Sequence, residues 1–207
     1  MTNSNRFLMI AAVAFAHTAH AGSPVITQKA LKPAVEKYLQ DRGNFCLGKF
    51  DWPIVVSATD RQAGTNDAIQ MPVLESLGLV ASSVVAGDPA ARQFDLTAEG
   101  KKYYIVKKTV VLGPGDKPVD HPGDFCAAKL ELDRIVSWRQ PEVVGARPRT
   151  EVKYTYKVAR AADWTHNLEV RKVFPLISRI MDEEGKLQLT QPFEWSNDTW
   201  VAVTPGG

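Results

Sequence analysis

The segment 152-VKYTYKV-158 decides the fold, because its side chains alternate strictly between apolar and polar types. The apolar positions are Val152, Tyr154, Tyr156 and Val158. A period of two residues predicts a strand with one face in the core and the other in solvent. Half-buried strands of this kind belong mostly to antiparallel sheets. The segment therefore predicts an antiparallel sheet.

The sequence before this strand predicts a neighbouring strand with an irregular centre. Leu130, Leu132, Val136 and Trp138 share one parity, and Arg134 and Ile135 interrupt it. Such an interruption predicts a β-bulge or a local twist.

The sequence after the strand predicts a helix and a hairpin. Residues 169–184 have a helical pattern but contain Pro175, which predicts a kink or two short helices. Leu187–Trp195 and Trp200–Val203 flank a turn and predict a closing hairpin. Residues 124–207 are therefore expected to form a small antiparallel sheet with a packed helix, within an α+β fold.

A turn-rich segment separates this half from the preceding one. Residues 113–123 contain Gly-Pro-Gly and His-Pro-Gly runs, which predict a Pro/Gly-rich linker. Before the linker, residues 22–112 predict two helices, at 27–43 and 67–77, and then two strands around Gly87. This order predicts an N-terminal, winged-helix-like α+β part. In the first helix, Thr27 and Gly43 are suited to be the N-cap and the C-cap.

The charges of this part argue against a DNA-binding role. A winged helix needs lysine or arginine on its recognition helix and wing to contact phosphates. Residues 67–77 contain no basic side chain, and residues 67–104 carry five acidic side chains against Arg92, Lys101 and Lys102. We therefore expect no nucleic-acid partner.

The N-terminus has the order of a secretory signal peptide. Residues 1–21 combine Arg6, an apolar run over 7–16, and Ala19-His-Ala21 with small residues before the expected cut. The apolar run is too short to span a bilayer. Cleavage would leave 24 basic and 23 acidic side chains, a balance with no general attraction to nucleic acid or anionic membranes. We therefore expect a periplasmic or secreted protein without a membrane anchor.

The chain contains two cysteines, Cys46 and Cys126. In an oxidising compartment an even pair of cysteines usually forms a disulfide. Closing a loop of about 80 residues would stabilise the fold by about 4 kcal/mol on the chain-entropy model. The sequence lacks a Cys-x-x-Cys motif, so the cysteines are predicted to have a structural role.

Four blocks of the chain carry a resemblance to known proteins. They read 94-FDLTAEGKKYY-104, 125-FCAAKLELDRIVSW-138, 150-TEVKYTYKVARAADW-164 and 200-WVAV-203. In this order they resemble uncharacterised exported proteins and lipoproteins of Gram-negative bacteria, of the Burkholderia type, from about Tyr38 onward. The resemblance implies export but no established activity, cofactor or catalytic residue. Unlike the lipoprotein members, this chain has no cysteine to carry a lipid at its expected mature start.

The polar residues do not form a recognisable catalytic motif. His121 and His166 are the histidines that remain after processing, and no Gly-x-Ser-x-Gly, phosphate-loop or Glu-x-x-His pattern is present. His121 lies near Asp120 and Asp124, which predicts either a metal site or, preferably, acids that shape a Pro-Gly turn. No cofactor, metal ligand or catalytic residue is predicted.

Aromatic residues are the candidates for an interaction surface. Large rings near turns can form a patch for a partner or ligand. The candidate interaction residues are Tyr104, Trp138, Trp164 and Trp195.

The sequence favours a non-enzymatic binding or protein-interaction module. Its partner would be another envelope protein or a small apolar ligand, and its oligomeric state is open. One alternative is a periplasmic hydrolase with a dispersed carboxylate site that uses Asp163 and Glu194. A second alternative is an inhibitor or immunity-like partner of a secreted enzyme.

Overall fold

The computed structural model describes residues 26–145 and 147–203. The predicted signal peptide, residues 1–21, lies outside the described residues. Strands take up more of the described residues than helices, 43% against 32% with the 3-10 turns counted as helix.

The described residues form twelve strands and five α-helices. The strands are β1 (Asn44–Cys46), β2 (Ile54–Val56), β3 (Val80–Val85), β4 (Asp88–Leu96), β5 (Tyr104–Ile105), β6 (Thr109–Leu112), β7 (Pro118–His121), β8 (Asp124–Trp138), β9 (Glu142–Val144), β10 (Arg147–Ala161), β11 (Leu189–Ser196) and β12 (Thr199–Ala202). The helices are α1 (Gln28–Arg42), α2 (Ala58–Ala63), α3 (Asn66–Ser76), α4 (Leu168–Val173) and α5 (Pro175–Asp182).

A curled antiparallel sheet, shaped like half a barrel, organises the molecule. Its main path is β1-β8-β10-β11-β12, with β5 added beside β8 and β9 beside β10. β8 and β10 are 15 residues long, and their register shifts at three places. Register shifts of this kind bend strands and increase their twist, which accounts for the curl.

The predicted alternation in β10 is confirmed. Val152, Tyr154 and Tyr156 are buried, and Lys153 is exposed. Thr155 departs from the alternation: it is also buried, and its hydroxyl donates to the Asp133 carboxylate at 2.7 Å. The predicted irregularity in β8 is also confirmed, but it changes which residues point inward. Because the pairing skips a residue between Ser137 and Ile135, Ile135 is buried and Val136 is 40% exposed.

A smaller sheet is formed by β2, β4 and β3, in that order. The helices α2 and α3 connect β2 to β3. α2 begins with a capping box, in which the Ser57 hydroxyl accepts from the Asp60 N–H and the Asp60 carboxylate accepts from the Ser57 N–H. Thr65 is the N-cap of α3, and its hydroxyl accepts from the Ala68 N–H.

The expectation of a separate N-terminal winged-helix-like part is wrong. α1 packs on β8 and β12 of the curled sheet, and β1 and β5 are strands of that sheet. The small sheet shares one hydrophobic core with the second half, in which Met71 and Phe94 lie in the same cluster as Phe125 and Trp164. Helical periodicity and turn signals indicate the type of each element but not its neighbours in the fold. The order of the elements along the chain therefore does not show that the N-terminal ones pack on the curled sheet.

The two short helices predicted around Pro175 are confirmed. α4 ends at Val173 and α5 begins at Pro175, where proline is well tolerated in the first turn. After α5 the chain returns to β10, where the Gly185 N–H donates to the Tyr156 carbonyl and the Glu184 carboxylate accepts from the Val158 N–H. These bonds cover the part of β10 that β11 leaves unpaired.

The predicted linker contributes to a hairpin. β6 and β7 pair with each other from Thr109–His121 to Leu112–Pro118, as a sheet of two strands. Val110 and Leu112 on this hairpin are more than half exposed.

The closing hairpin β11–β12 contains a proline in a paired position. Pro192 has no N–H to offer to the Val203 carbonyl opposite it. The Gln191 side-chain amide takes this place, donating to the Val203 carbonyl at 2.8 Å and to the Pro192 carbonyl at 3.0 Å. The Val203 N–H still donates to the Pro192 carbonyl at 2.9 Å, so the pairing continues past the end of β12.

Candidate functional site

The most complete candidate site is a groove where the curled sheet remains open. Its walls come from α1, from β12 at one end of the sheet, and from Lys107, which follows β5 at the other end. The groove has a volume of about 580 Å³, within the range of ligand pockets. We call it the seam groove; its residues are Pro33, Ala34, Lys37, Tyr38, Asp41, Arg42, Lys107, Thr199, Trp200, Val201 and Ala202.

α1 forms one wall because its apolar stripe faces the sheet. Leu31, Val35 and Leu39 recur every four residues and are buried in a cluster with Phe193 and Trp200. The predicted caps are confirmed, since the Thr27 hydroxyl accepts from the Ala30 N–H and the Gly43 N–H donates to the Leu39 carbonyl. The flank of the helix next to the stripe, with Ala34 and Tyr38, is thereby turned toward the groove.

The C-terminus of α1 is fixed at a crowded junction. A side chain on Gly43 would place its Cβ 2.4 Å from the Leu39 carbonyl oxygen and 2.5 Å from the Leu130 carbonyl oxygen. The Leu130 N–H donates to the Gly43 carbonyl at 2.8 Å. Only glycine allows the helix to meet β8 this closely.

β12 forms the opposite wall and presents a backbone edge that no other described strand pairs with. Asn197 and Asp198 both have positive φ, 49° and 58°, as in a two-residue type I′ turn. In such a hairpin the pair next to the turn, Ser196–Thr199, exchanges hydrogen bonds, and bonded and non-bonded pairs then alternate. The N–H and C=O groups of Trp200 and Ala202 therefore point away from β11.

Tyr38 and Trp200, the aromatic residues that line the groove, are each held edge to face by a neighbouring ring. Tyr38 meets Phe193 with ring centroids 6.4 Å apart, and Trp195 meets Trp200 at 5.4 Å. Trp200 is only 3% exposed, and no partner for its indole N–H is found among the described residues. Val201 is 46% exposed beside it. The floor is therefore rigid, apolar and accessible at its rim.

The rim of the groove is positively charged. Lys37, Arg42 and Lys107 line it together with a single carboxylate, Asp41. The Lys37 ammonium donates to both Asp41 oxygens at 2.8 and 2.9 Å, and this hydrogen bond is the main cause that lowers the pKa of Asp41. The Lys107 ammonium donates to the Asp41 carbonyl at 2.6 Å. The rim thus carries two more positive than negative charges.

Lys129 extends this positive region beneath the end of α1. Its ammonium donates to the carbonyls of Leu39 and Gln40, both at 2.8 Å. It thereby gives a partner to the Gln40 carbonyl at the helix end and a second donor to the Leu39 carbonyl, which already accepts from the Gly43 N–H. Burial, and next the charges of Lys107 and Arg160, lower the pKa of Lys129. Lys129 therefore adds a positively charged group next to the end of α1.

A second polar region surrounds the loop between β1 and β2. The Asp124 carboxylate accepts from the N–H groups of Gly48 and Lys49, at 3.3 and 2.9 Å, and burial raises its pKa despite these bonds. The Tyr104 hydroxyl donates to the Phe50 carbonyl at 2.6 Å. These contacts hold the loop in place.

His121 belongs to the same region. Its Nδ1 lies 2.7 Å from an Asp51 oxygen, and its ring stacks on Phe50 with centroids 4.4 Å apart. A histidine oriented by a carboxylate can act as a general base. The two cysteines are joined in a disulfide, so neither offers His121 a thiol to activate. Within residues 26–145 and 147–203, no group of three His, Cys, Asp or Glu side chains is placed to hold a metal ion.

The predicted disulfide between Cys46 and Cys126 is present. The two residues face each other directly across the β1–β8 pair. A bond of this kind is typical of proteins outside the reducing cytosol. Within the described ranges, every helix is too short or too polar to cross a lipid bilayer.

The four aromatic candidates for an interaction surface do not form one patch. Trp164 is 7% exposed and stacks on Phe125 in the core, so it presents no surface to a partner. Tyr104 is half-buried at the loop site, and Trp138 is half-buried at the end of β8. Trp195 is half-buried against Trp200 and is therefore the member that lies next to the seam groove.

The carboxylates of the hydrolase alternative lie at opposite ends of β10. Glu194 is opposite Arg149 near the start of that strand, and Asp163 follows its last residue, Ala161. The two positions are separated by about 40 Å along the strand, at about 3.3 Å per residue. Glu194 is held by Arg147 and by Arg149, the latter at 3.1 Å. Asp163 and Glu194 therefore do not share a site.

Lys37, Tyr38 and Trp200 are groove residues that no motif in the sequence marks as a group. The helical spacing of 34, 37, 38 and 41 could have marked a second, mixed face of α1 beside its buried stripe. No signal in the sequence shows that this face meets β12, about 160 residues later, because sheet curl depends on long-range pairing.

Comparison of the chain with protein-family models, with curated proteins and with solved structures finds no match.

Proposed function

We propose that this protein is an exported, periplasmic binding module that holds a segment of another envelope protein in the seam groove. The observation that carries the proposal is the groove itself, which combines an aromatic floor, a positive rim and an unpaired strand edge. Apolar contact area with a few fixed polar groups is the usual composition of a binding site. The disulfide supports export.

A polypeptide fits this groove better than a small apolar ligand. A small apolar ligand would contact the rings of Tyr38 and Trp200 but would make no hydrogen bond with the outward backbone groups of β12 and no ion pair with Arg42. A polypeptide brings backbone donors and acceptors as well as side chains. The groove is also open along α1 rather than enclosed, as an extended segment requires.

Photo-crosslinking inside cells tests the proposal. A benzophenone amino acid is placed at Lys37 or Val201 in the groove and, as matched controls, at the exposed positions Lys172 and Val84. We expect crosslinks to a distinct periplasmic protein from the groove positions and none to that protein from the controls.

Mass spectrometry of the crosslinked product then identifies the partner and the segment that lies in the groove. Equal crosslinking from all four positions, or none from the groove positions, would contradict a binding role for the groove. A small molecule retained by the native protein and released by Tyr38→Ala would instead favour the small-ligand alternative.

A further inference from the structure

We propose that the partner segment binds as an added β-strand along β12, and that it carries acidic side chains. This inference rests on the proposed function of the seam groove and specifies the chemistry of its occupant. It begins from the backbone of β12, whose outward groups belong to Trp200 and Ala202.

The alternation of bonded and non-bonded pairs in the hairpin determines which residues of β12 have outward backbone groups. In the alternation set by the type I′ turn, Ser196–Thr199, Glu194–Val201 and Pro192–Val203 are the bonded pairs. The Val203 N–H does donate to the Pro192 carbonyl, which confirms the phase independently of the turn. The backbone N–H and C=O groups of Thr199 and Val201 therefore bond to β11. Those of Trp200 and Ala202 point away from β11, toward the groove.

These outward groups have no partner in the part of the chain that the structure describes. α1 covers one face of β12 rather than its edge, because its buried stripe packs on Trp200 and Phe193. The free edge of β3 in the small sheet provides a contrast. There the Ser82 N–H donates to the Glu75 carboxylate at 2.8 Å, so part of that edge is satisfied internally.

β12 is only four residues long, but it lacks the other features that normally keep an edge strand from pairing. Edge strands are commonly protected by lysine, proline, a bulge or a covering segment. β12 reads Thr-Trp-Val-Ala, with no charge and no proline, and its pairing with β11 is regular. An edge with unpaired backbone groups of this kind is a template for strand addition.

The charge of the rim selects the side chains of the added strand. Lys37 and Arg42 flank the groove on α1, and Lys107 stands at its far side. Asp41 is already hydrogen-bonded to Lys37, and Arg42 adds a further positive charge at the same end of α1, beside β12. An acidic segment is attracted to this rim, and a basic segment is repelled.

Hydrogen exchange followed by NMR on the disulfide-bonded protein, purified from the periplasm of an expression host, tests the inference. In the free protein, the Trp200 and Ala202 amides should exchange at least about tenfold faster than those of Thr199 and Val201. The probes are three pools of decapeptides with an alternating Val/Thr centre, flanked by Glu, by Gln or by Lys. The Glu pool should slow exchange at Trp200 and Ala202 by about tenfold or more, and the Lys pool should bind about tenfold more weakly.

Two sets of variants separate the strand edge from the charge. Ala202→Pro removes an outward N–H and should abolish the slowed exchange at Trp200, whereas Ala202→Ser should keep it. The double variant Lys37→Glu, Arg42→Glu should reverse the preference toward the Lys pool. Circular dichroism and the melting temperature of each variant show that its fold is retained.

The contrary outcomes distinguish this inference from the proposed function. If the Glu pool shifts the Ala34 and Tyr38 signals without slowing exchange on β12, or binds Ala202→Pro as well as the parent, strand addition is wrong and groove binding stands. If the Lys pool binds as well as the Glu pool, acidic selectivity is wrong. If no pool shifts any groove signal, both the inference and the proposed function are overturned.

Discussion

The two sides of the curled sheet end in different ways. On the side of β1, Cys46 is bonded to Cys126, Gly43 is hydrogen-bonded to Leu130, and Lys129 holds the end of α1. On the side of β12, the backbone of Trp200 and Ala202 is directed into an open groove. The side of β1 therefore fixes α1 against the sheet, and the side of β12 leaves the space in which we propose that a partner binds.

The disulfide is the strongest single tie, so its removal should have the largest effect. Replacing both Cys46 and Cys126 with alanine should lower the free energy of unfolding by about 4 kcal/mol, because the bond closes a loop with a sequence separation of 80 residues. Urea denaturation of the parent and the double variant measures this. The parent with reductant is the control and should match the variant; a loss below about 1 kcal/mol would show that the tie contributes little.

The Gly43 junction should show the next largest effect. Gly43→Ala forces a Cβ against the carbonyls of Leu39 and Leu130, and overpacking of this kind costs about 1–3 kcal/mol. The φ of Gly43 is −78°, so the backbone conformation itself suits alanine and the effect reports the contact alone. Gln40→Ala, on the exposed surface of the same helix end, is the control and should change the stability by less than about 0.5 kcal/mol. Equal stabilities for the two variants would contradict the tight junction.

Lys129 should contribute less than the glycine junction but more than a surface lysine. Lys129→Met keeps the length of the side chain and removes its hydrogen bonds to Leu39 and Gln40, at a cost of about 1–2 kcal/mol. The matched control is Lys157→Met on the neighbouring strand, where an exposed ion pair with Glu131 at 3.4 Å should contribute less than about 0.5 kcal/mol. Chemical denaturation of both variants compares them. A larger loss of unfolding free energy for Lys157→Met than for Lys129→Met would contradict a stabilising role of the Lys129 hydrogen bonds.

The smallest expected effect concerns pH and lies on the β11–β12 hairpin. Hydrogen bonds from Arg147 and then from Arg149 lower the pKa of Glu194 below its ordinary value of 4.5. The stabilisation by the carboxylate is therefore present above the unfolded-state pKa and is lost as the pH falls through the lower, folded-state value. Glu194→Gln should destabilise the protein slightly at neutral pH, and the difference from the parent should vanish in acid. A difference that is independent of pH would contradict this linkage.

Much of the local structure was predictable from the sequence. The caps of α1 at Thr27 and Gly43, the break at Pro175 and the alternation around Tyr154 all depend on near neighbours in the chain. The disulfide was predictable because two cysteines in an exported chain have only each other as partners.

The long-range arrangement was not predictable in the same way. Helical periodicity shows that α1 has a buried face, but not that the face lies on β8 and β12. The alternation of β8 predicts that Val136 points inward, but it is exposed. A bulge exchanges inward and outward positions without a distinctive residue pattern. The seam groove depends on both facts, since the bulges curl the sheet and the curl brings its two sides to the same helix.

The proline in β11 has a consequence for recognition. Because Pro192 lacks an N–H, the Val203 carbonyl depends on the Gln191 amide, and a shift of the hairpin by one residue would separate these groups. Such a slip would also turn Thr199 and Val201 outward in place of Trp200 and Ala202. Gln191 and Pro192 therefore fix the register of the hairpin, so that the backbone groups of the same two residues of β12 always point away from β11.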